Sequence, residues 1–508
     1  MIAPPGLALA FSPPVRRQLA RWAAVAILLL AAGLRLASLG RDARFHPDEA
    51  LFASFARSAA VQGDWLLQGN LDKPPLALYA SALGMTLAGV TADVDGVLHL
   101  SVTSGEFAAR LPSALAGVVW VAVMMALAQR IYCRTLFALW AGLFAACSPL
   151  AILFGASAFT DGWLLLWLTA ALWAAASRRW AWSGICLALA FASKQQGLVY
   201  LPLAAGLGWA LHGWSWRMLI GLFVPVGAGI ALVEVWGSLR TSSPALFELA
   251  AANNTPSGLV PLEALGQRAG AWLGYGRGLF GPVTAFFGLL IAAFMLRSLF
   301  RRPRTRAMHA DLILLTFALV YGLAHLLLAF NIYDRYWLPL LPPLILLAVR
   351  AGVWVYSLLC RLIPRAEMQF AALAVALVLL AAGTEAAGGH PGYSGGAGDS
   401  FAAQPAVDQT ASWLAGQHVG AVVYDHWLGW QLGYYLGTWN DKRLTYFPDP
   451  ASLAEASQAL DEHEPRFFPV PDSVDAGPWL TRLEVAGFGV EVAARMRGIT
   501  IYRLLPPG

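Results

Sequence analysis

Long apolar runs broken by short polar connections fill most of the chain. Runs near 22–39, 108–128, 136–155, 160–177, 181–196, 198–212, 217–238, 279–297, 310–330, 337–358 and 366–385 predict about eleven membrane-spanning helices. One assignment turns on charge. Residues 181–211 are apolar except for Lys194-Gln195-Gln196. As one span they would hold a lysine at mid-bilayer, whereas two short spans meeting at a turn keep every Arg-rich connection on one side. The two-span arrangement is expected. Near Gly383 the pattern changes to a Gly/Ser-rich stretch, 383–400, read as a linker. Strand-like runs at 421–425, 466–470 and 499–504 then alternate with helical patterns near 402–416, 450–462 and 478–487. The expected fold class is an all-α polytopic membrane protein over residues 1–385, with a linker and small soluble α/β domain over 386–508.

Charge supplies an orientation. Arg130 and Arg134, Arg178 and Arg179, Arg217, Arg297 to Arg306, and Arg361 with Arg365 lie in alternate connections. Together with a basic head bearing Arg16, Arg17 and Arg21, they mark the cytoplasmic side of a bacterial inner membrane. The periplasmic or extracellular side then receives 40–107, the turns near 156–160 and 194–198, the loop 239–278, 331–335 and everything after 386. Arg35 is expected near that outer interface. Composition agrees: 58% of the 508 residues are hydrophobic and 12% charged, against about 25% charged in soluble proteins. The net charge of +5 comes from the cytoplasmic clusters, so nucleic acid is not an expected partner. The four cysteines have neither disulfide nor metal-ligand spacing.

Chemistry concentrates in Arg41–Tyr79, where His46, Asp48, Glu49, Asp64, Asp72 and Lys73 sit between apolar runs. Leu51, Phe52, Phe55 and Ala59 share one helical face and Ser54, Arg57 and Ser58 the other, as in a helix lying on a membrane surface. Asp48 reads equally as that helix's N-cap and as a base at a cavity rim. Asp72-Lys73-Pro74-Pro75 is either a turn into a helix, or a site where Lys73 meets an anion while Asp72 orients it or holds a metal. Lys194 reads as a snorkelling lysine or as a functional group at membrane depth. Arg335-Tyr336 reads as an interface anchor or an anion contact, and Asp161 as a helix N-cap or an acid. Asp48, Asp72, Lys73, Asp161, Lys194 and Arg335 nonetheless all map to one side.

These residues stand in a combined pattern: LRLASLGRDARFHPDEA, QGDW, DKPPLALY, EFAARLPSALAG, SPLAILFGASAFTDGWLLLW, LALAFASKQQGLVYLPL and DRYWLPLLPPLILLA, in that order over roughly 25–350. It resembles the membrane glycosyltransferases of the protein O-mannosyltransferase and lipid A aminoarabinose transferase type, a branch of the C-type superfamily. The resemblance implies an enzyme that moves a sugar from a polyprenyl-phosphate donor to a lipid, glycan or protein acceptor on the exoplasmic face. By position, it makes Asp48 of the Asp48-Glu49 pair the catalytic carboxylate and Asp161 a second acid. Lys73 and Lys194 become donor-phosphate groups, with Arg335 and Tyr336 beside them and His46 and Gln195 on the substrate side. Asp72 stands where the aminoarabinose transferases carry a metal-binding glutamate. The loop 239–278 departs from that pattern, offering Glu248 and Asn253 where a histidine ligand is expected. Lys194-Gln195-Gln196 also differs from the Lys-Gly form of those enzymes.

Two other classes are weighed. A transporter or flippase predicts matched halves with Gly/Pro-broken spans and polar groups near the midplane; the polar groups here gather at one face, without a repeat. A non-catalytic membrane protein with a partner-binding C-terminal domain would have no need of the acid and base set.

Overall fold

The computed structural model describes residues 13–94, 96–242, 244–300, 305–388, 405–437, 439–460 and 464–507. In chain order it forms α1 (Pro13–Leu39), α2 (Pro47–Arg57) continued by a π-helical turn at Ser58–Gln62, α3 (Leu76–Gly89), a hairpin of β1 (Thr91–Ala92) and β2 (Leu98–His99), and α4 (Val102–Tyr132). Then come α5 (Thr135–Cys147), α6 (Pro149–Gly155), α7 (Asp161–Ala176), α8 (Trp180–Ser193), α9 (Leu201–His212), α10 (Trp216–Ser238), α11 (Leu246–Asn254), α12 (Leu262–Gly276), α13 (Thr284–Phe300), α14 (Arg306–Leu327), α15 (Leu341–Leu359) and α16 (Arg365–Ala387).

The chain is an integral membrane protein, mostly helical. Seven segments among the described residues are long and apolar enough to cross a bilayer: α1, α4, α10, α13 with the 3₁₀ turn before it, α14, α15 with the 3₁₀ segment Asp334–Leu340, and α16. An eighth span results if α5 and α6 count as one, bent by 59°. The expected count of eleven is therefore not reached. The bend has a local cause: Ser148 adopts an extended conformation, Pro149 starts the new helix, and the Ser148 hydroxyl accepts from the Ala151 N–H. α7, α8 and α9, with 16, 14 and 12 residues, fall short of the roughly 20 that a perpendicular crossing needs.

The apolar stretch 181–211 does break at Lys194. That residue is extended (φ −160°, ψ 133°), and Gln195–Tyr200 form a 3₁₀ segment before α9. Gly197 makes the fold-back feasible, since a Cβ there would lie 2.6 Å from the backbone of Ala190 and Phe191. Arg35 lies in the last turns of α1. It is fully buried, its guanidinium donates to the carbonyls of Ala31, Ala145 and Ala146, and Gly117 packs against it. The basic head is shorter than expected, because Arg16, Arg17 and Arg21 already belong to α1. Helix α16 runs on to Ala387, which places 383–387 of the expected linker in a helix; 389–400 lie outside the described residues.

Contacts divide the chain into two compact units that no single cut along the sequence would produce. The first comprises Met1–Arg41, Gln68–Ala77 and Arg110–Ala397. The second joins Asp42–Leu67 and Leu78–Ala109 to Gly398–Gly508. Its C-terminal part contains α17 (Val407–Ala415), β3 (Val422–Asp425), α18 (Gly429–Leu436), β4 (Arg443–Tyr446), α19 (Pro450–Ala459), β5 (Arg466–Pro471), α20 (Gly477–Val485), β6 (Gly489–Met496) and β7 (Ile499–Leu505). The five strands lie in the order β4-β3-β5-β7-β6, parallel from β4 to β5 and antiparallel from β5 to β6. β5, the central strand, is buried throughout, whereas the edge strands β4 and β6 are largely open. Their weak apolar pattern is why the sequence suggested only the three strands nearest the core. Val422, Tyr424, Phe468, Val470, Trp479, Leu483 and Leu504 form that core.

Within this second unit, α2 packs on α18. Arg57, expected on a polar surface, is buried; it donates to the carbonyls of Tyr434 (2.8 Å) and Leu100 (3.1 Å) and lies over the Tyr434 ring. The helix is thus not a free interfacial one. Phe45 stacks edge-on against Tyr434, its N–H donates to the Tyr435 hydroxyl, and its carbonyl accepts from Gln431. The Tyr435 hydroxyl donates to Glu106, which also pairs with Arg44 at 3.1 Å. Gly105 is required here, since a Cβ would meet the Tyr434 hydroxyl at 2.3 Å.

Candidate functional site

In the first unit, four segments distant in sequence meet around two acid–base pairs. Asp161 opens α7 and is buried. Thr160 rather than Asp161 is the N-cap residue, and the Asp161 carboxylate instead accepts from the Lys194 ammonium at 2.7 Å. Lys194 owes its position to the break after α8, which releases its side chain from a helical direction. The ammonium also lies 5.4 Å from the Tyr336 ring centre, and the charges of Arg335 and Lys73 are near enough to act on it.

Arg335 and Tyr336 sit in the 3₁₀ segment Asp334–Leu340. The Arg335 guanidinium lies over Tyr333 and Phe159, so it reaches toward the residues just before Asp161. Tyr321 of α14 ties two of these segments together: its hydroxyl accepts from Gln196 and donates to the Tyr336 carbonyl. Tyr321, His325, Trp272 and Trp337 form a stacked aromatic group behind Tyr336. Sequence reading missed these residues, whose aromatic spacing looks like ordinary helix packing.

Asp72 and Lys73 form the second pair, Lys73 Nζ lying 2.5 Å from Asp72 Oδ2. The Asp72 carbonyl accepts from Gln195 Nε2 at 2.6 Å, and its carboxylate accepts from Asn253 Nδ2 at 3.3 Å. Asp72, Lys73, Asp161, Lys194, Gln195, Arg335 and Tyr336 are thus brought together within one unit. Cations gathered in this way repel one another, and the carboxylates beside Lys73 and Lys194 offset that repulsion.

No protein-family profile matches the chain, and no characterised protein matches it by sequence. Solved structures do. ArnT from Cupriavidus metallidurans, determined bound to undecaprenyl phosphate, superposes with a TM-score of 0.60 at 17% identity, covering 94% of this chain and 97% of that one. Its apo state gives 0.59 over the same shares. The Archaeoglobus fulgidus oligosaccharyltransferase, determined with zinc and sulfate, gives 0.55 at 13% identity over 94% of this chain and 72% of that one. The fold is similar to that of these two proteins. At these identities the likeness concerns the fold alone.

Against that fold, Asp72 does not fit the metal site that the resemblance implies. Its Oδ2 already faces an ammonium and an amide N–H. The loop 239–278 contains neither histidine nor cysteine, and among the described residues no three His, Cys, Asp or Glu side chains are grouped to hold an ion.

His46, Asp48 and Glu49 belong to the second unit. The N-cap of α2 is His46, not Asp48: His46 Nδ1 accepts from the Asp48 N–H at 3.2 Å, and Glu49 Oε2 accepts from the His46 N–H at 3.1 Å. This capping box ties His46 and Glu49 into the helix start. Pro47 sets the first helical residue, and Asp48 follows at the second with its carboxylate outside the capping box.

Proposed function

We propose that this protein transfers a sugar from a polyprenyl-phosphate donor to a hydroxyl acceptor, with inversion, on the exoplasmic face of the membrane. The observation that carries the reading is the meeting of Lys73 and Lys194, each paired with a carboxylate, with Arg335 over the Phe159 ring near Asp161, in a fold like that of ArnT. ArnT of the same fold was solved with undecaprenyl phosphate, which supports a lipid phosphate as the anion.

In the proposed reaction the acceptor O–H attacks the anomeric carbon as the bond from that carbon to the phosphate oxygen breaks. The acceptor proton passes to Asp48, the general base, and polyprenyl phosphate leaves carrying the electron pair. Negative charge therefore grows on the leaving phosphate, where Lys73, Lys194 and Arg335 stabilise it. Asp161 holds Lys194 in place and keeps its charge compensated before the donor arrives. Asp72 does the same for Lys73. Exoplasmic orientation rests on the alternation of Arg-rich connections. It also fits the chemistry, since a lipid-linked donor serves a compartment without nucleotide sugars.

The test uses purified protein, a polyprenyl-phosphate hexose or pentose, and release of polyprenyl phosphate as the signal. Asp48→Asn should lower turnover by about 10²–10⁴. Undiminished turnover would remove Asp48 from the base role, and transport of the lipid without transfer would favour a flippase.

A further inference from the structure

The loop between α10 and α12 is fastened at both ends by hydrogen bonds. At its start, Arg240 donates to the Gly69 carbonyl at 2.7 Å, and the Ser242 hydroxyl accepts from the Gly69 N–H at 2.7 Å. Thr241 and Ser242 both donate to the Gln68 side-chain carbonyl. At its far end, Ser257 and Val260 pair with the chain at 327–329, and Arg268 donates to the carbonyls of His325, Leu328 and Phe330. Between these anchors lies α11. Leu246, Ala250 and Asn253 fall at i, i+4 and i+7, so they share one face; the first two are buried, and Phe247 stacks on Phe191 of α8. Asn253 ends that face, and its amide reaches Asp72.

We propose that Asn253 is a positioning residue that takes the place of a metal bridge: its amide holds Asp72, and through Asp72 it sets the Lys73 ammonium. Three contacts converge on this dipeptide. Gln195, next to Lys194, holds the Asp72 backbone from one side, Asn253 holds its carboxylate from another, and Lys73 closes onto the same carboxylate oxygen. The chemistry of that oxygen favours the direct link. A divalent cation placed there would have to displace an ammonium and an amide N–H, with no imidazole or thiolate in the loop to add to its shell. An amide needs neither. It donates one hydrogen bond to a charged acceptor, the stronger kind, and leaves the carboxylate free to keep Lys73. The expected consequence is that α11 and the Asp72–Lys73 pair behave as one body, independent of metal supply.

The role of Lys73 as a phosphate group rests on the proposed function, so two measurements are made on the full-length protein. The first is amide hydrogen exchange over 246–254 without ligand; the second is binding of undecaprenyl phosphate. Asn253→Ala should speed that exchange several-fold and weaken binding on the order of ten-fold. Asn253→Ala combined with Asp72→Ala should bind no more weakly than Asp72→Ala alone, because both remove the same link. EDTA should alter neither exchange nor binding in the unmodified protein. The proposal is overturned by unchanged exchange in Asn253→Ala, by additive losses in the double variant, or by an EDTA-induced loss that zinc reverses. Failure of the unmodified protein to bind undecaprenyl phosphate would overturn the donor reading instead, and the exchange measurement would still decide the link to Asp72.

Discussion

Two buried cation–carboxylate pairs in the first unit are built differently. Arg350 meets Asp311 at 3.0 Å, Tyr132 donates to the other carboxylate oxygen at 2.7 Å, and the guanidinium is ringed by Tyr132, Phe137 and Phe294. Its acid, base and phenol come from α14, α15 and the end of α4, so it closes on itself. Lys194 meets Asp161 at a helix break, with Arg335 and Lys73 acting on it and the Tyr336 ring beside it. The closed pair resembles internal wiring of a helix bundle. The pair at the break keeps further cations in reach, which is what an arriving anion would use. Burial alone therefore does not mark a site; the company a buried charge keeps does.

The comparison can be broken in stages. The largest effects should come from stripping one partner. Lys194→Met leaves Asp161 buried without its cation, and Arg350→Met does the same to Asp311; each should lower stability by about 3–5 kcal/mol, read by thermal unfolding. Replacing both partners should separate the pairs. Asp161→Asn with Lys194→Met should cut transfer by about 10²–10³ in properly folded protein. Asp311→Asn with Arg350→Met should leave transfer intact, because replacing a closed pair by uncharged groups is often neutral for stability. Equal loss in both doubles would show that the two pairs do not differ in kind.

A third buried carboxylate sharpens the point. Asp425, in the second unit, accepts from the Leu428 N–H at 2.6 Å, and burial pushes its pKa up to about 6 from an ordinary value near 3.8. A raised carboxylate binds its proton more tightly when folded, so its contribution to stability is full below about pH 4 and fades as pH rises through about 6. That contribution is about 3 kcal/mol. Protection of the β3 and β5 amides, taken relative to intrinsic exchange at each pH, should therefore be greater at pH 5 than at pH 7, and Asp425→Asn should flatten the difference; no flattening would assign the pH effect elsewhere. The smallest expected effect is Tyr132→Phe, which removes one hydrogen bond to Asp311, worth about 2 kcal/mol of stability, and leaves transfer unchanged.

Much of this was legible in the chain. Lys194 stood out because a lysine between apolar runs has few neutral explanations, and the break was assigned from charge parity. The same parity assigned Asp48, Asp72, Lys73, Asp161, Lys194 and Arg335 to one side, without indicating which of them meet. What stayed hidden depends on partners far along the chain. Ser54, Arg57 and Ser58 form a polar face by spacing, but spacing cannot reveal that Arg57 is covered by Tyr434 of α18. Asp48 looked like a cap because caps are recognised by type, and a histidine at position 46 taking that role is a weak signal. The Arg350–Asp311–Tyr132 group and the fastening of Asn253 to Asp72 left no local mark.

The sequence by itself determined where the apolar segments lie, which connections carry positive charge and where the soluble composition begins, because each depends on transfer of local segments between water and lipid. Tertiary structure alone decided which carboxylate pairs with which cation, that Asp42–Leu67 and Leu78–Ala109 join the C-terminal domain in one unit, and that an amide of α11 meets Asp72. Such choices depend on orientation and distance between segments many residues apart, and hydrogen bonds and ion pairs weaken within an ångström or two of misplacement.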